Sequence, residues 1–357
     1  MTTVRKMTQY VPLTREEFRK RFFERFYDPA FDEVKVELEK VFERAWDGYI
    51  KYRKSPRTQA AGAEFSDPSF KLPVEWLATR KAIREAEHRQ KDAASPSRML
   101  VVSGATRSEH TCPGEVSKTR RLAVHALDII KAEAGFEVDF LEMCNLADEP
   151  WKVIHPCKAC VSTSMPLCHW PCSCYPNYAM GQTNDWMAEL YPRWVAAHGV
   201  LVVCPVHWYQ APASLKLMID RLVCADGGNP DPTTTRGKDP KAAKELELAG
   251  WPYPRHLAGR AFAVLAHGDS QGHEGVREAL TEWLTSIGMI QAGASSVVDT
   301  LIGYWEPYAT SHEKLDSQPD TFVLVENAAK SLVNMVRAIR TGSHRAPDEG
   351  LRNPRQK

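Results

Sequence analysis

The sequence predicts an α/β fold: a mostly parallel sheet covered by helices on both faces, fronted by an α-helical N-terminal extension. Three observations predict it. From Met99 onward, short apolar runs alternate with amphipathic stretches, the pattern of strand–helix–strand units. Some runs, such as Gly199–Cys204, are continuously apolar, as strands buried on both faces are. Before Met99 the spacing is helical and dense in charge.

In chain order, residues 14–27 and 31–53 read as amphipathic helices. In the second, Phe31, Val34, Leu38, Val41, Phe42, Ala45, Trp46 and Tyr49 recur at three- and four-residue steps. Ser55–Phe70 reads as a turn-containing connection, and residues 74–92 as a third helix running into the polar linker His88–Ser97. Three such helices have little core of their own, so they are expected to dock on the main domain or on another subunit, with an independent small bundle as the alternative. Residues 1–95 therefore form an arm, 96–345 the main domain and 346–357 a polar tail.

Within the main domain, Met99–Ser103 is a strand, 117–134 a helix and Phe136–Glu142 a strand. A cysteine-rich loop (155–178) leads to a helix at 184–197 and the strand Val200–Cys204. A helix holding Leu215, Met218, Ile219 and Leu222 follows, then an excursion rich in Gly, Pro and charge at 226–258. The strand Arg260–Ala266, a helix at 273–287, the apolar run Met289–Val298 and a helix at 321–340 complete the chain. In open parallel sheets ligands bind beyond the carboxyl ends of the strands, so function is sought in the loops there.

Composition narrows the function classes. The 357 residues are 43% hydrophobic and 25% charged, an ordinary globular balance. A net charge of +1 leaves no sequence-wide footprint for nucleic acid. No apolar run approaches the roughly 20 residues that span a bilayer. Met1–Tyr10 has no apolar secretory core, so the expected location is the cytoplasm.

The loop after the first main-domain strand is Ser103-Gly104-Ala105-Thr106-Arg107-Ser108, and Ser117-Lys118-Thr119 opens the next helix. A helix N-terminus offers unpaired amides and a positive dipole end, which favour an anion such as phosphate. Ser103, Thr106, Ser117 and Thr119 add hydroxyls, and Arg107 and Lys118 add charge. Neither a Walker pattern nor a dinucleotide G-x-G-x-x-G is present. The same residues also read as a helix cap after a polar loop.

These segments, with Arg121-Leu122-Ala123, resemble the phosphate loop of the NADPH-dependent FMN reductase family, whose members are flavodoxin-like. A second segment, Cys204-Pro205-Val206-His207-Trp208-Tyr209-Gln210-Ala211-Pro212 with Leu215–Arg221, resembles the family's flavin-ring loop. A third, His267-Gly268-Asp269-Ser270-Gln271-Gly272-His273-Glu274, resembles its glycine-rich loop. The resemblance runs over about residues 98–340. It implies a flavodoxin-like three-layer sandwich with a five-stranded parallel sheet. It implies an FMN-dependent NAD(P)H oxidoreductase that passes electrons to a second acceptor: a quinone, a flavin, a nitro or azo compound, or a metal ion. Phosphate binding then falls to 103–119, with Ser103, Thr106, Arg107, Ser117, Lys118 and Thr119. Ring binding falls to Pro205, Val206, His207, Trp208 and Tyr209, with Gly268 and Asp269 from the third loop. No side chain is assigned a catalytic acid–base role. Relatives hold the flavin near a subunit boundary, which implies a homodimer or homotetramer.

Cys157, Cys160, Cys168, Cys172 and Cys174 fall within eighteen residues. That density reads as metal binding or redox chemistry. Iron–sulfur flavoproteins, relatives of the same family, carry a compact cysteine motif here for a 4Fe–4S cluster, but Thr163 stands where the third cysteine would be. A 4Fe–4S cluster on Cys157, Cys160, Cys168 and Cys172 (Cys174 as alternate), a zinc site and no metal all remain open. With a cluster, the protein reads as an electron carrier with a ferredoxin-like partner. Cys204 reads as a packed small hydrophobe, and Glu306, His312 and Glu313 as a solvated loop.

Overall fold

The charged N-terminal sequence folds into the helices Arg15–Phe23 and Lys35–Ile50. Thr14 caps the first reciprocally with Glu17: the Thr14 hydroxyl accepts from the Glu17 amide at 3.2 Å, and Glu17 accepts from the Thr14 amide at 2.9 Å. The two apolar stripes bury an aromatic core of their own. Phe18, Phe22 and Phe42 pack together, and the Phe18 and Tyr49 rings stand 4.7 Å apart.

The computed structural model describes residues 2–51, 57–149, 152–160, 165–172, 185–347 and 349–351. The segment read as a turn-containing connection, Ser55–Phe70, holds β1 (Thr58–Ala60), which pairs antiparallel with β2 (Lys71–Pro73) just after it. Beside it Ala61, Phe65, Leu72 and Trp76 form a small cluster. The Arg80 guanidinium lies 4.3 Å from the Phe65 ring centroid and pairs with Glu64 at 2.7 Å.

Met1–Arg80, Lys158–Asp185 and Asn229–Trp251 make up one compact unit. Asn229 ties its two later segments together. Its amide donates to Cys168 O at 2.6 Å, and its side chain donates to Pro166 O at 3.0 Å and to the Thr234 hydroxyl at 2.9 Å. The buried His169 ring meets the Thr235 hydroxyl at 3.0 Å, and burial lowers its pKa to about 4. The excursion therefore serves as scaffold for the cysteine-rich segment.

Lys81–Cys157, Trp186–Gly228 and Pro252–Lys357 form the second unit, built on a parallel sheet. Its strands are β3 (Ser97–Ser103), β4 (Phe136–Glu142), β5 (Gly199–Pro205), β6 (Ala261–Gly268), β7 (Ile290–Gln291) and β8 (Val297–Leu301). The order is β4-β3-β5-β6, and both β7 and β8 pair with the outer side of β6. Five positions are thus filled by six strands, in the doubly wound order of flavodoxin-like proteins. The predicted run Met289–Val298 is broken by Gly293 at φ 110 and a short 3-10 turn, so the fifth position is shared.

Both faces of the sheet are covered, which explains the continuous apolar runs. Met99, Val101, Leu201, Val203, Ala263 and Leu265 face the helices Lys118–Lys131 and Pro319–Arg340. The alternate residues Leu100, Val102, Val200, Val202 and Val264 are equally buried on the other face. There the helices Met187–Ala196 and His273–Ser286 meet through Trp194 and Trp283, 5.6 Å apart. Gly199 has a packing reason. A Cβ there would lie 2.7 Å from Val336 Cγ2 and 3.0 Å from Met99 Sδ, so only glycine lets the last helix seat on the sheet. Among the described residues no helix is long and apolar enough to cross a membrane.

Candidate active site

Three strands deliver their following loops to one cleft at the carboxyl edge of the sheet. β3 ends at Ser103 beside Val203 of β5, and Pro205 of β5 lies beside His267 of β6. The cleft, about 190 Å³, is lined by Ala105, Thr106, Arg107, Ser117, Lys118 and Thr119 from the first loop. Pro205, Val206 and His207 line it from the second, and His267, Gly268 and Asp269 from the third.

The first loop is held close by backbone. Gly104 N donates to Val203 O at 2.8 Å, and a Cβ on Gly104 would stand 3.2 Å from that oxygen. Ser117 caps the helix Lys118–Lys131, its hydroxyl accepting from Arg120 N at 3.1 Å. The amides of Lys118 and Thr119 precede the first intrahelical bond and stay available to a ligand. Nη1 of Arg107 is buried and has no hydrogen-bond partner among the described residues. Lys118 is half-buried, and its pKa is lowered first by that burial and then by the Arg107 charge. Asp269 and Glu306 act in the opposite sense. Two cations and the amides of Lys118 and Thr119 stand on one wall, a donor set able to hold an anion.

The second loop turns tightly. His207 N donates to Gln210 O at 2.9 Å and Gln210 N returns a bond to His207 O at 3.0 Å. Trp208 and Tyr209 occupy the turn at φ 49 and 65, a left-handed conformation that costs bulky residues energy. Gly272, at φ 107, makes room for it, since its Cβ would stand 3.0 Å from Tyr209 Cα. Burial first, and then the Arg107 charge, lowers the His207 pKa.

Of the residues singled out from sequence, Thr106, Arg107, Ser117, Lys118, Thr119, Pro205, Val206, His207, Gly268 and Asp269 meet in the cleft. Ser103 is buried at the strand end and does not line it. Trp208 and Tyr209 do not line it either: they stand 94% and 63% exposed on the adjacent turn. His267 was missed. Its Nε2 meets the Thr119 hydroxyl at 2.8 Å, and burial, then Lys118, lowers its pKa to about 3. The available signal was a polar ring closing an otherwise apolar strand.

The thiols lie differently. Cys157 belongs to the sheet-bearing unit, and Cys160, Cys168 and Cys172 to the other. Cys174 lies outside the described residues. Among the described residues no three His, Cys, Asp or Glu side chains are grouped to hold a metal ion. Cys204 is buried at the end of β5, and burial pushes its thiol far up, in keeping with a packing role.

Residues 97–301 match the model of the NADPH-dependent FMN reductase family. The chain belongs to this family. It is accordingly an NAD(P)H-dependent flavin oxidoreductase, with FMN as its cofactor. The iron–sulfur flavoprotein of Methanosarcina thermophila is 26% identical over 197 residues, which cover 55% of this chain and 76% of that protein. Among solved structures, RosB with a bound intermediate aligns at a TM-score of 0.49 and 13% identity, over 70% of this chain and 82% of that one. An FMN-dependent NADH-azoreductase from Bacillus anthracis str. Ames Ancestor, in complex with FMN, aligns at 0.37 and 14% identity, over 67% and 100%.

Proposed function

We propose that this reductase holds FMN with its phosphate in the cleft, accepts hydride from NAD(P)H, and passes the electrons to a small-molecule acceptor. Quinones, flavins, nitro or azo compounds and metal ions are the acceptor classes. The observation that carries the reading is the convergence of Arg107, Lys118 and the free amides of Lys118 and Thr119 on one cleft. FMN supplies the hydride-accepting ring; the chain supplies binding, orientation and electrostatics. Arg107 and Lys118 would offset the phosphate charge, and their own mutual repulsion would be relieved. Ser117 is committed as helix cap and acts by positioning those amides. The Thr119–His267 bond fixes the Thr119 hydroxyl, and His267 stays neutral while doing so. His207 presents a ring that burial biases toward the uncharged form.

A second reading, an iron–sulfur flavoprotein acting as electron carrier, draws support from the Methanosarcina thermophila relative and the density of cysteines at 157–174.

The visible spectrum of anaerobically purified protein, taken before and after NADPH, tests both readings. Flavin bands that bleach on addition are expected. Iron and acid-labile sulfide with broad absorption beneath those bands would favour the second reading. A protein that stays colourless after reconstitution with FMN and iron would refute both.

A further inference from the structure

The helix Lys35–Ile50 turns Leu38 and Phe42 toward the helix Arg15–Phe23, where Phe42 packs on Phe18 and Phe22. The adjoining face lies one residue back along the chain, and so about 100° around the helix. It carries Val34, Glu37, Val41 and Arg44, with Val34 at the helix cap. Steps of three, four and three residues make this a straight seam, the spacing by which one helix packs along another. The seam is open: all four residues are exposed. Among the described residues no ion pair engages Arg44, and Glu37 meets only the flanking Lys40, at 4.0 Å. The pattern complements itself. Val41 lies near the middle of the helix, with an acid four residues before it and a base three residues after it. When the same helix of a second copy is laid antiparallel along the seam, with the two-fold axis at Val41, the two valines meet. Each Glu37 then comes opposite the partner's Arg44. Parallel pairing would instead set like charges against each other, so charge selects the antiparallel arrangement.

We propose that this seam is a two-fold contact between two copies of the chain, made by antiparallel pairing of their Lys35–Ile50 helices. The contact lies outside the family-matched residues 97–301, and it does not depend on the FMN reading. One helix pair is a small interface, so weak, reversible association is expected.

A residue on the axis meets its own copy, and one away from it does not. Val36 is more exposed than Val41, 66% against 52%. It lies five residues from the axis, so it would stand about 15 Å from its copy. The test is mild oxidation of the full chain carrying Val41→Cys or Val36→Cys, with the wild type as background for the native cysteines. A disulfide between two introduced thiols, identified by peptide mass spectrometry, is expected in Val41→Cys and not in Val36→Cys, since the bond needs Cα atoms within about 7 Å. Adding Arg44→Glu to Val41→Cys sets like charges opposite each other on both sides of the axis, and should slow the disulfide about 10-fold. Adding Glu37→Arg as well should restore the rate. These side chains are all exposed, so the aromatic core is untouched. No disulfide in Val41→Cys, equal yields at the two positions, or no recovery on exchanging the charges would overturn the proposal. So would a dimer by light scattering that forms no disulfide in Val41→Cys, which would put the contact elsewhere.

Discussion

Replacing Arg107 with alanine is expected to weaken FMN binding about 10- to 100-fold while leaving riboflavin affinity nearly unchanged. The magnitude follows from a charge-assisted hydrogen bond of about 1.5–3 kcal/mol and roughly 1.4 kcal/mol per tenfold in affinity. The direction follows from the buried Nη1, which has no hydrogen-bond partner among the described residues and would gain one from a phosphate oxygen. Lys118→Met is expected to act in the same sense but less strongly, because Asp269 already offsets part of the Lys118 charge. Fluorescence titration of both flavins against each variant checks this. Equal losses for FMN and riboflavin would mean that Arg107 supports the loop rather than the phosphate.

The second large effect is a loss of stability in mild acid. His198 Nδ1 accepts from Arg98 N at 2.9 Å, and its Nε2 lies 2.9 Å from Gln90 O, an arrangement that suits the neutral ring. Protonation would break the first bond. Burial, reinforced by Arg340, lowers the His198 pKa to about 4, and burial with Lys118 lowers that of His267 to about 3. The unfolded chain protonates these rings near the usual value of about 6.5. Their contribution is therefore intact above that pH, and falls as the unfolded state takes up protons below it. By about pH 5 the loss is about 2 kcal/mol per histidine. Urea midpoints at about pH 7.5 and about pH 5 measure it, with the lower pH expected to be less stable. His198→Gln removes one titrating ring and should shrink the difference substantially. Equal midpoints for the wild type at both pH values would refute the account.

The legible parts of the fold were those with strong period or continuous apolarity. The edge strand Phe136–Glu142 forms as expected, and the inner strands β3, β5 and β6 differ by a few residues at their ends. The hairpin β1–β2 was hidden because three residues such as Thr58–Ala60, all exposed, carry no alternation to detect. The split fifth strand was hidden inside one apolar run, where Gly293 at φ 110 breaks the pairing without changing the hydropathy. The scaffold role of Asn229 was out of reach for another reason: its bond to Pro166 joins residues 63 apart. In the site, the cations and hydroxyls before a helix are the residues that line one wall of the cleft. The exposed turn of Trp208 and Tyr209 was not legible, since left-handed turns usually declare themselves through Asn or Gly.

The cleft at the carboxyl edge is proposed to recognise the phosphate of FMN. Parallel titration of FMN and riboflavin against the flavin-free wild-type protein tests it most directly. FMN binding at least about 10-fold tighter than riboflavin is the predicted result, as expected when phosphate contacts are charge-assisted. Equal affinity for the two flavins, or none for either, would contradict it.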